Sequence, residues 1–400
     1  MLNNWCPSLD VLDPSLTPAS EPKRPRRYRT LLRLIATACA LAAAPGAGAQ
    51  TPKPFEQFDY VLGTQTFGPA YQFSPAPPLV ETGRAIAALG SNTIKFELKS
   101  TDGGEHSLAD IAGNDPAISA VLAMPFAYVL MWAYPAAAKE RLFDPAGLST
   151  EYRELYDLTR YLREVYTGSS KVFFVGNWEM DNHLTQSRKK EPSPELLANV
   201  AAWVDKRQQA VDDAKRDTPG SAVQVYYYLE VNLVWDAIAG RPRAANLVLP
   251  ATHVDYVSYS AYDSLPDPEQ KLPQALDYLQ SQLQPKDRLP GKRVFIGEYG
   301  FPADRYSPQE QDQLSRRVMR TGLSWGCPFV LYWEMYNNEV RDGRQRGFWL
   351  IDDKGRVQPV YFTLQQYYRR AQVWVGDFLR QRRRLPTATE FGPAAVQWLQ

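Results

Sequence analysis

Cysteine and histidine are scarce in this chain of 400 residues, three of each and none clustered. A Cys/His zinc site needs four ligands at close spacing, so that class of metal centre is excluded. A surplus of one charge is also lacking, since 45 basic side chains face 44 acidic ones, a formal net charge of +1. With no basic excess to neutralise a run of phosphates, the composition argues against nucleic-acid binding. No apolar run reaches the about 20 residues that a helix needs to cross a bilayer. Aromatic residues are plentiful: 10 Trp, 23 Tyr and 16 Phe stand in an ordinary globular composition of 44% hydrophobic and 22% charged residues. Such a chain can bury a large core and still keep rings for a surface.

The N-terminus changes the arithmetic. Residues 1–22 read as a disordered lead. Lys23, Arg24, Arg26, Arg27 and Arg29 then precede an apolar run from Leu31 to Ala44, broken once by Arg33, and Ala47-Gly48-Ala49 supplies the small-x-small pattern of a cleavage site. This is a secretory signal, expected to be cleaved after Ala49, and the protein is expected to be exported to the periplasm or the medium. Ala36-Thr37-Ala38 before Cys39 lacks the large aliphatic residue that a lipidation site prefers, and the residues after Arg26-Arg27 fit a twin-arginine signal poorly. Six of the basic and three of the acidic residues leave with the signal. The 351-residue remainder carries 39 basic and 41 acidic groups, a net of −2, and one thiol, Cys327. With no internal disulfide, stability has to come from the core.

Short β-branched and aromatic runs recur along the mature chain, each followed by a polar loop and a helix-period stretch. Strands are expected at Tyr60–Thr66, Thr93–Leu98, Tyr128–Ala133, Lys171–Gly176, Val223–Leu229, Val254–Ser260, Arg293–Gly297 and Phe329–Trp333. Helices are expected at Pro78–Leu89, Leu108–Met124, Ser149–Tyr166, Pro194–Arg216, weakly after Val234, and at Pro273–Leu283, Pro308–Trp325 and Tyr361–Phe378. Eight βα units predict an α/β fold, the (β/α)8 TIM barrel, as one domain over residues 50–380. No Gly-rich phosphate loop follows the first strand, which argues against a dinucleotide-binding sheet. Residues 381–400, opening on the basic run Arg380–Arg384, read as a solvated, loosely held extension.

In such a barrel the chemistry belongs at the C-terminal ends of the strands. Those ends are polar and aromatic here: Lys95 and Glu97, Trp132 and Tyr134, Asn177-Trp178-Glu179, Glu230 and Asn232, Tyr259 and Tyr262, Glu298, and Trp333-Glu334. Glu179 ends strand four and Glu298 ends strand seven, so barrel closure brings both to one mouth. A retaining glycosidase needs two carboxyl groups about 5–5.5 Å apart, and strands on opposite sides of the mouth make that reachable. Residues two apart on a strand share a face, so Asn177 and Glu179 are both expected to look into the mouth. Glu230 is the strongest rival acid; it, Glu97, Asp181 and Glu334 are expected to bind sugar hydroxyls or join ion pairs. Lys95, Arg241 and Arg243 are the basic residues placed to meet an acidic sugar. His183 stands near the mouth, Cys327 reads as an inert core thiol, and Asp352-Asp353-Lys354-Gly355 as a turn with too few carboxylates for a Ca²⁺ loop.

These residues resemble the clan A glycoside hydrolases, (β/α)8 enzymes with an Asn-Glu acid/base after strand four, a Glu nucleophile after strand seven, a Tyr after strand six and a Trp after strand eight. The resemblance implies Glu179 as acid/base and Glu298, within Gly297-Glu298-Tyr299-Gly300, as nucleophile. It further implies a hydrogen bond to Glu298 from Tyr259 or Tyr262, and Trp333 as a platform under the sugar. One residue separates this chain from the pattern, because Trp178 stands between Asn177 and Glu179. The expected activity is retaining hydrolysis of β-linked poly- or oligosaccharides with no metal or organic cofactor, by a protein that is a monomer. Asn177, Trp132, Glu230, Asn232, Tyr259, Tyr262, Trp333 and Glu97 are the expected substrate contacts. Two other functions use the same barrel: a catalytically inactive carbohydrate-binding or polysaccharide-assembly protein, which the altered motif would suit, and a transglycosylase using the same two acids.

Overall fold

The computed structural model describes residues 57–136, 142–185 and 190–400, and the expected signal segment with Cys6 and Cys39 lies outside the described residues. Eight parallel strands close into a barrel in chain order: β1 Leu62–Thr66, β2 Thr93–Leu98, β3 Tyr128–Ala133, β4 Val172–Gly176, β5 Gln224–Val231, β6 Tyr256–Ser260, β7 Val294–Tyr299 and β8 Val330–Tyr332. The helices are α1 Pro78–Leu89, α2 Leu108–Asn114, α3 Pro116–Leu122, α4 Leu148–Val165, α5 Met180–Thr185, α6 Pro194–Asp217, α7 Val234–Ile238, α8 Pro268–Gln282, α9 Pro308–Trp325, α10 Pro359–Arg382 and α11 Ala388–Gln397. This is the (β/α)8 barrel. No helix among the described residues is long and apolar enough to cross a membrane.

Proline and small polar caps set the helix starts. Proline stands in the first turn of α1, α3, α6, α8, α9 and α10, where its missing N–H removes nothing and its φ is already helical. The expected single helix Leu108–Met124 is two, because Asp115 precedes Pro116, which disfavours helical backbone there. The Asp115 carboxylate instead accepts from the Ala117 and Ile118 N–H groups at 2.9 and 3.1 Å and starts α3. α8 begins at Pro268 rather than Pro273, which lies inside the helix.

Two apolar clusters follow from strand alternation. Outward side chains such as Ile94, Val129, Phe173, Val225 and Ile296 meet the helices in a ring-shaped core. Inward ones, including Leu130, Trp132, Phe174, Tyr228, Phe295, Phe329 and Leu331, fill the barrel. Room for Tyr228 comes from Gly176 opposite, where a Cβ would lie 2.5 Å from the ring.

The C-terminal residues are not a loose extension. After α10 the chain forms α11, whose Phe391 packs on Phe58 and Tyr60 just before β1 and on Tyr367 and Trp374 of α10. Phe391, Ala395 and Leu399 are buried. The basic run masks an apolar stripe that continues beyond it, and Arg384 is itself paired with Glu390. Cys327 is a buried free thiol whose burial pushes its pKa up.

Candidate active site

The central feature is a bulge in β7. Tyr259 pairs with Ile296, but the next residue of β6, Ser260, pairs with Glu298, so β7 holds one extra residue, Gly297. In regular alternation Glu298 would follow Ile296 outward; the bulge turns it into the barrel, as bulges beside active sites commonly do. A side chain at Gly297 is excluded, since a Cβ there would lie 1.8 Å from Ser258 Oγ and 3.2 Å from Glu230 Oε2. Glu298 is buried, with Oε1 3.3 Å from Lys95 Nζ and Oε2 accepting from Tyr262 Oη at 3.4 Å. Burial holds its carboxyl well above the usual carboxylate range; Lys95 opposes this, and the charges of Glu230 and Glu179 add to it.

Glu179 faces the same space. β4 stops at Gly176, and the chain bends at Trp178 into α5. The two-residue alternation therefore does not carry through to Glu179, and Asn177 does not join it in the mouth. The Asn177 amide is fully buried and braces β5, donating to Glu230 O at 3.2 Å and accepting from Glu230 N at 3.4 Å. Two other amides hold the Glu179 carboxylate: Asn232 Nδ2 donates to Oε2 at 2.9 Å, and Asn182 Nδ2 donates to the same oxygen. Asn182 lies three residues on, one turn into α5, a spacing that brings side chains together on a helix.

Beneath these two acids lies a buried ion pair. Lys95 and Glu230, both with wholly buried side chains, meet at 2.6 Å. Ser258 Oγ adds a 2.7 Å hydrogen bond to the same Glu230 oxygen. Lys95 is thus a counter-ion for carboxylates and does not reach out towards an acidic sugar. Arg243 likewise is buried against Asp236 at 2.6 Å, whereas Arg241 is exposed and lies 3.5 Å from the same carboxylate.

Aromatic rings line the mouth above. Phe67, at the end of β1, packs on Trp132 with centroids 3.8 Å apart and stacks on Trp333 at 5.2 Å. Lys95 Nζ sits 4.8 Å from the Trp132 centroid. Trp178 approaches Trp132 at 6.2 Å and so faces the mouth, not the helix layer. Among the described residues, the buried Trp132 Nε1, Trp333 Nε1, Gln65 Oε1, Asn232 Oδ1 and Glu334 Oε1 have no hydrogen-bond partner. The other oxygen of Glu334 accepts from the Phe67 N–H at 2.8 Å, and burial holds this carboxyl well above its ordinary range.

The structure therefore brings Glu179, Glu298, Glu230, Asn232, Trp132, Trp333 and Tyr262 together and leaves out Asn177 and Tyr259. Tyr259 points outward from β6, its phenol bonded to Asp263 and, at 2.6 Å, to Ser264. Glu97 lines a small cavity of about 50 Å³ with Leu98, Ile111 and Tyr134. Asp181 accepts from the Ala244 and Asn232 N–H groups at 2.7 and 3.3 Å and fixes the loop after β5, with burial raising its pKa to about 6. His183 packs beside Tyr134 and Trp178. Sequence reasoning missed Asn182, Ser258 and the bulge; a glycine inside an otherwise regular strand was the available signal for the last.

No protein-family model matches the sequence, and no curated protein matches it. Solved structures share its fold. A family 39 glycoside hydrolase from the gut symbiont Bacteroides cellulosilyticus WH2 is 12% identical with a TM-score of 0.51 over 79% of this chain, and this chain spans 64% of that protein. A GH5_18 from Bifidobacterium longum subsp. infantis is 13% identical, with a TM-score of 0.56 over 77% of this chain and 78% of its own. A family 5 xyloglucanase from Paenibacillus pabuli is 10% identical, with a TM-score of 0.50 over 80% and 100%. At these identities the likeness is one of fold: the chain shares the (β/α)8 barrel of these glycoside hydrolases.

Proposed function

We propose that the protein is an exported retaining glycoside hydrolase acting on β-linked glycans, with Glu298 as nucleophile and Glu179 as acid/base. The observation that carries this is the pair of carboxyls at one barrel mouth, held by different partners: Glu298 by a cation and a phenol, Glu179 by two amides. In the first step the Glu179 carboxyl gives its proton to the glycosidic oxygen. The Glu298 carboxylate bonds to the anomeric carbon, and the carbon–oxygen bond to the leaving sugar breaks. In the second, water gives its proton to Glu179 and attacks that carbon, which releases Glu298 and leaves the product with its original configuration. Tyr262 and Lys95 steady the carboxylate that leaves. The rings of Trp132 and Trp333 suit the C–H faces of a pyranose, and the unpartnered polar atoms beside them suit its hydroxyls. A Glu-to-Ala variant of a GH5_18 from Bifidobacterium longum subsp. longum, of the same fold and 13% identical, is in complex with Manβ1-4GlcNAc, a β-linked disaccharide.

Glu298→Gln and Glu179→Gln are each expected to cut turnover on a responsive glycan by orders of magnitude with the fold intact by circular dichroism. Azide should restore the Glu179 variant on an activated substrate, and NMR should show a product of retained configuration. Inverted product, or near-normal turnover in either variant, would overturn the assignment. One observation favours a second function, a carbohydrate-binding barrel without turnover: Trp132 and Trp333 already stack on each other at 6.2 Å, with Phe67 packed against both. Glycan binding by calorimetry with no reducing ends released would select it.

A further inference from the structure

We infer that Glu230 is a positioning residue that ties the two reacting carboxyls into one unit, one of its oxygens fixing the main chain of Glu179 and the other holding Lys95 beside Glu298. Glu230 Oε1 accepts from the Glu179 N–H at 3.3 Å. Its Oε2 takes Lys95 Nζ at 2.6 Å and Ser258 Oγ at 2.7 Å, and the same ammonium reaches Glu298 Oε1 at 3.3 Å and Gly297 O at 3.2 Å. One carboxylate thus joins elements from β2, the bend after β4, β6 and the β7 bulge. Space for it exists because position 297 has no side chain. This rests on the assignment of Glu179 and Glu298 above, and gives the third acid of the mouth a task other than binding sugar.

The charge count explains why an acid is needed there. Lys95 supplies one positive charge and lies closer to Glu230 than to Glu298, so its attraction is shared. Without Glu230 the ammonium would act on Glu298 alone and hold it as a tight ion pair, a poorer nucleophile. Without Lys95 the carboxylates would repel one another. Among the described residues, the other titratable groups facing this cluster are Tyr134 after β3, Glu179, Tyr228 on β5 and Tyr262 after β6.

The test is a charge cycle of Glu230→Gln, Lys95→Met and the double variant, read by the pH profile of kcat/KM and by Tm. Glu230→Gln should lower kcat/KM about 100-fold, the effect of misplacing reacting groups by about 1 Å, and move the acid limb to lower pH by about one unit. Lys95→Met should move that limb to higher pH, and the double variant should bring it back below the Lys95→Met value. Its Tm should exceed that of Lys95→Met, because one buried carboxylate fewer is left without the cation. An acid limb and kcat/KM unchanged in Glu230→Gln, with Glu298→Gln and Glu179→Gln inactive, would overturn this inference and leave the function standing. If the single variants do not fold, a double variant as unstable as they are overturns it; a folded double variant supports it. Turnover surviving in Glu298→Gln or Glu179→Gln would instead sink the functional assignment, while the Tm order would still judge the linkage.

Discussion

Replacing Gly297 by alanine adds a single methyl group, and the structure says where it goes. The new Cβ falls 1.8 Å from Ser258 Oγ, 3.1 Å from Ser258 Cβ and 3.2 Å from Glu230 Oε2. The first distance is impossible, so either Ser258 rotates away and its bond to Glu230 is lost, or the bulge flattens and Glu298 turns. Overpacking of a filled core costs about 1–3 kcal/mol, and a hydrogen bond to a charged group is worth about 1.5–3 kcal/mol. A loss of about 3–5 kcal/mol is therefore expected for Gly297→Ala. For a domain of this size that is a fall in Tm of roughly 6–15 °C, at about 2–3 °C per kcal/mol, read by scanning calorimetry. Turnover should fall about 100-fold, since the carboxyl is displaced. Ser258→Ala in the same background removes the clashing oxygen, so the double variant should recover at least 1 kcal/mol beyond the sum of the two single effects without recovering turnover. A Gly297→Ala protein within about 0.5 kcal/mol of the parent, a range typical of surface changes, would refute the placement of the bulge.

Four further outcomes are expected. Tyr262→Phe removes the phenol at Glu298 and should lower kcat/KM about tenfold or more, as a hydrogen bond to a charged group predicts, whereas Tyr259→Phe should cost about 1 kcal/mol of stability and leave turnover alone. Glu151→Ala leaves the guanidinium of Arg207, wholly buried and 2.8 Å away, without its carboxylate, and a loss of about 3–5 kcal/mol is expected in urea unfolding. Phe391→Ala should cost about 3–5 kcal/mol in the same measurement if α11 belongs to the core. Burial pushes His183 down to about 4, so the unfolded chain takes up a proton below about 6.5 that the folded one refuses. Stability should therefore fall as pH drops from about 6.5 towards 4, and His183→Gln should flatten that part of a stability profile.

The barrel was legible because its signals are local. A β-branched or aromatic run, a proline at the first helical position and a polar cap each sit within a few residues, and strand ends follow from them. Glu179 and Glu298 were legible for the same reason as acids beside the ends of β4 and β7. Orientation was not. Tyr259 and Tyr262 are three residues apart, and which one reaches Glu298 depends on where β6 ends. Asn177 and Glu179 share a face only in a strand that continues past Gly176, and β4 ends there. The task of Lys95 was hidden because its partners, Glu230 and Glu298, lie more than 130 residues away. α11 was obscured by the arginines before it, which draw attention away from Phe391, Ala395 and Leu399, spaced by four.

Closure of the barrel also bears on how the chain reaches its folded state. Leu62 of β1 pairs with Val330 of β8, and Thr64 hydrogen-bonds Tyr332 O across 268 residues. Tyr367 of α10 donates to Tyr60 O, and Phe391 covers Phe58. The opening strand thus stays without one neighbour until nearly the whole sequence has been synthesised, and contacts this distant in sequence form slowly. During that interval an unpaired strand edge and its aromatic lead lie open to other chains. Shortening from the C-terminal side should therefore be felt first in yield and aggregation during refolding, at the seam where the two ends of the domain meet.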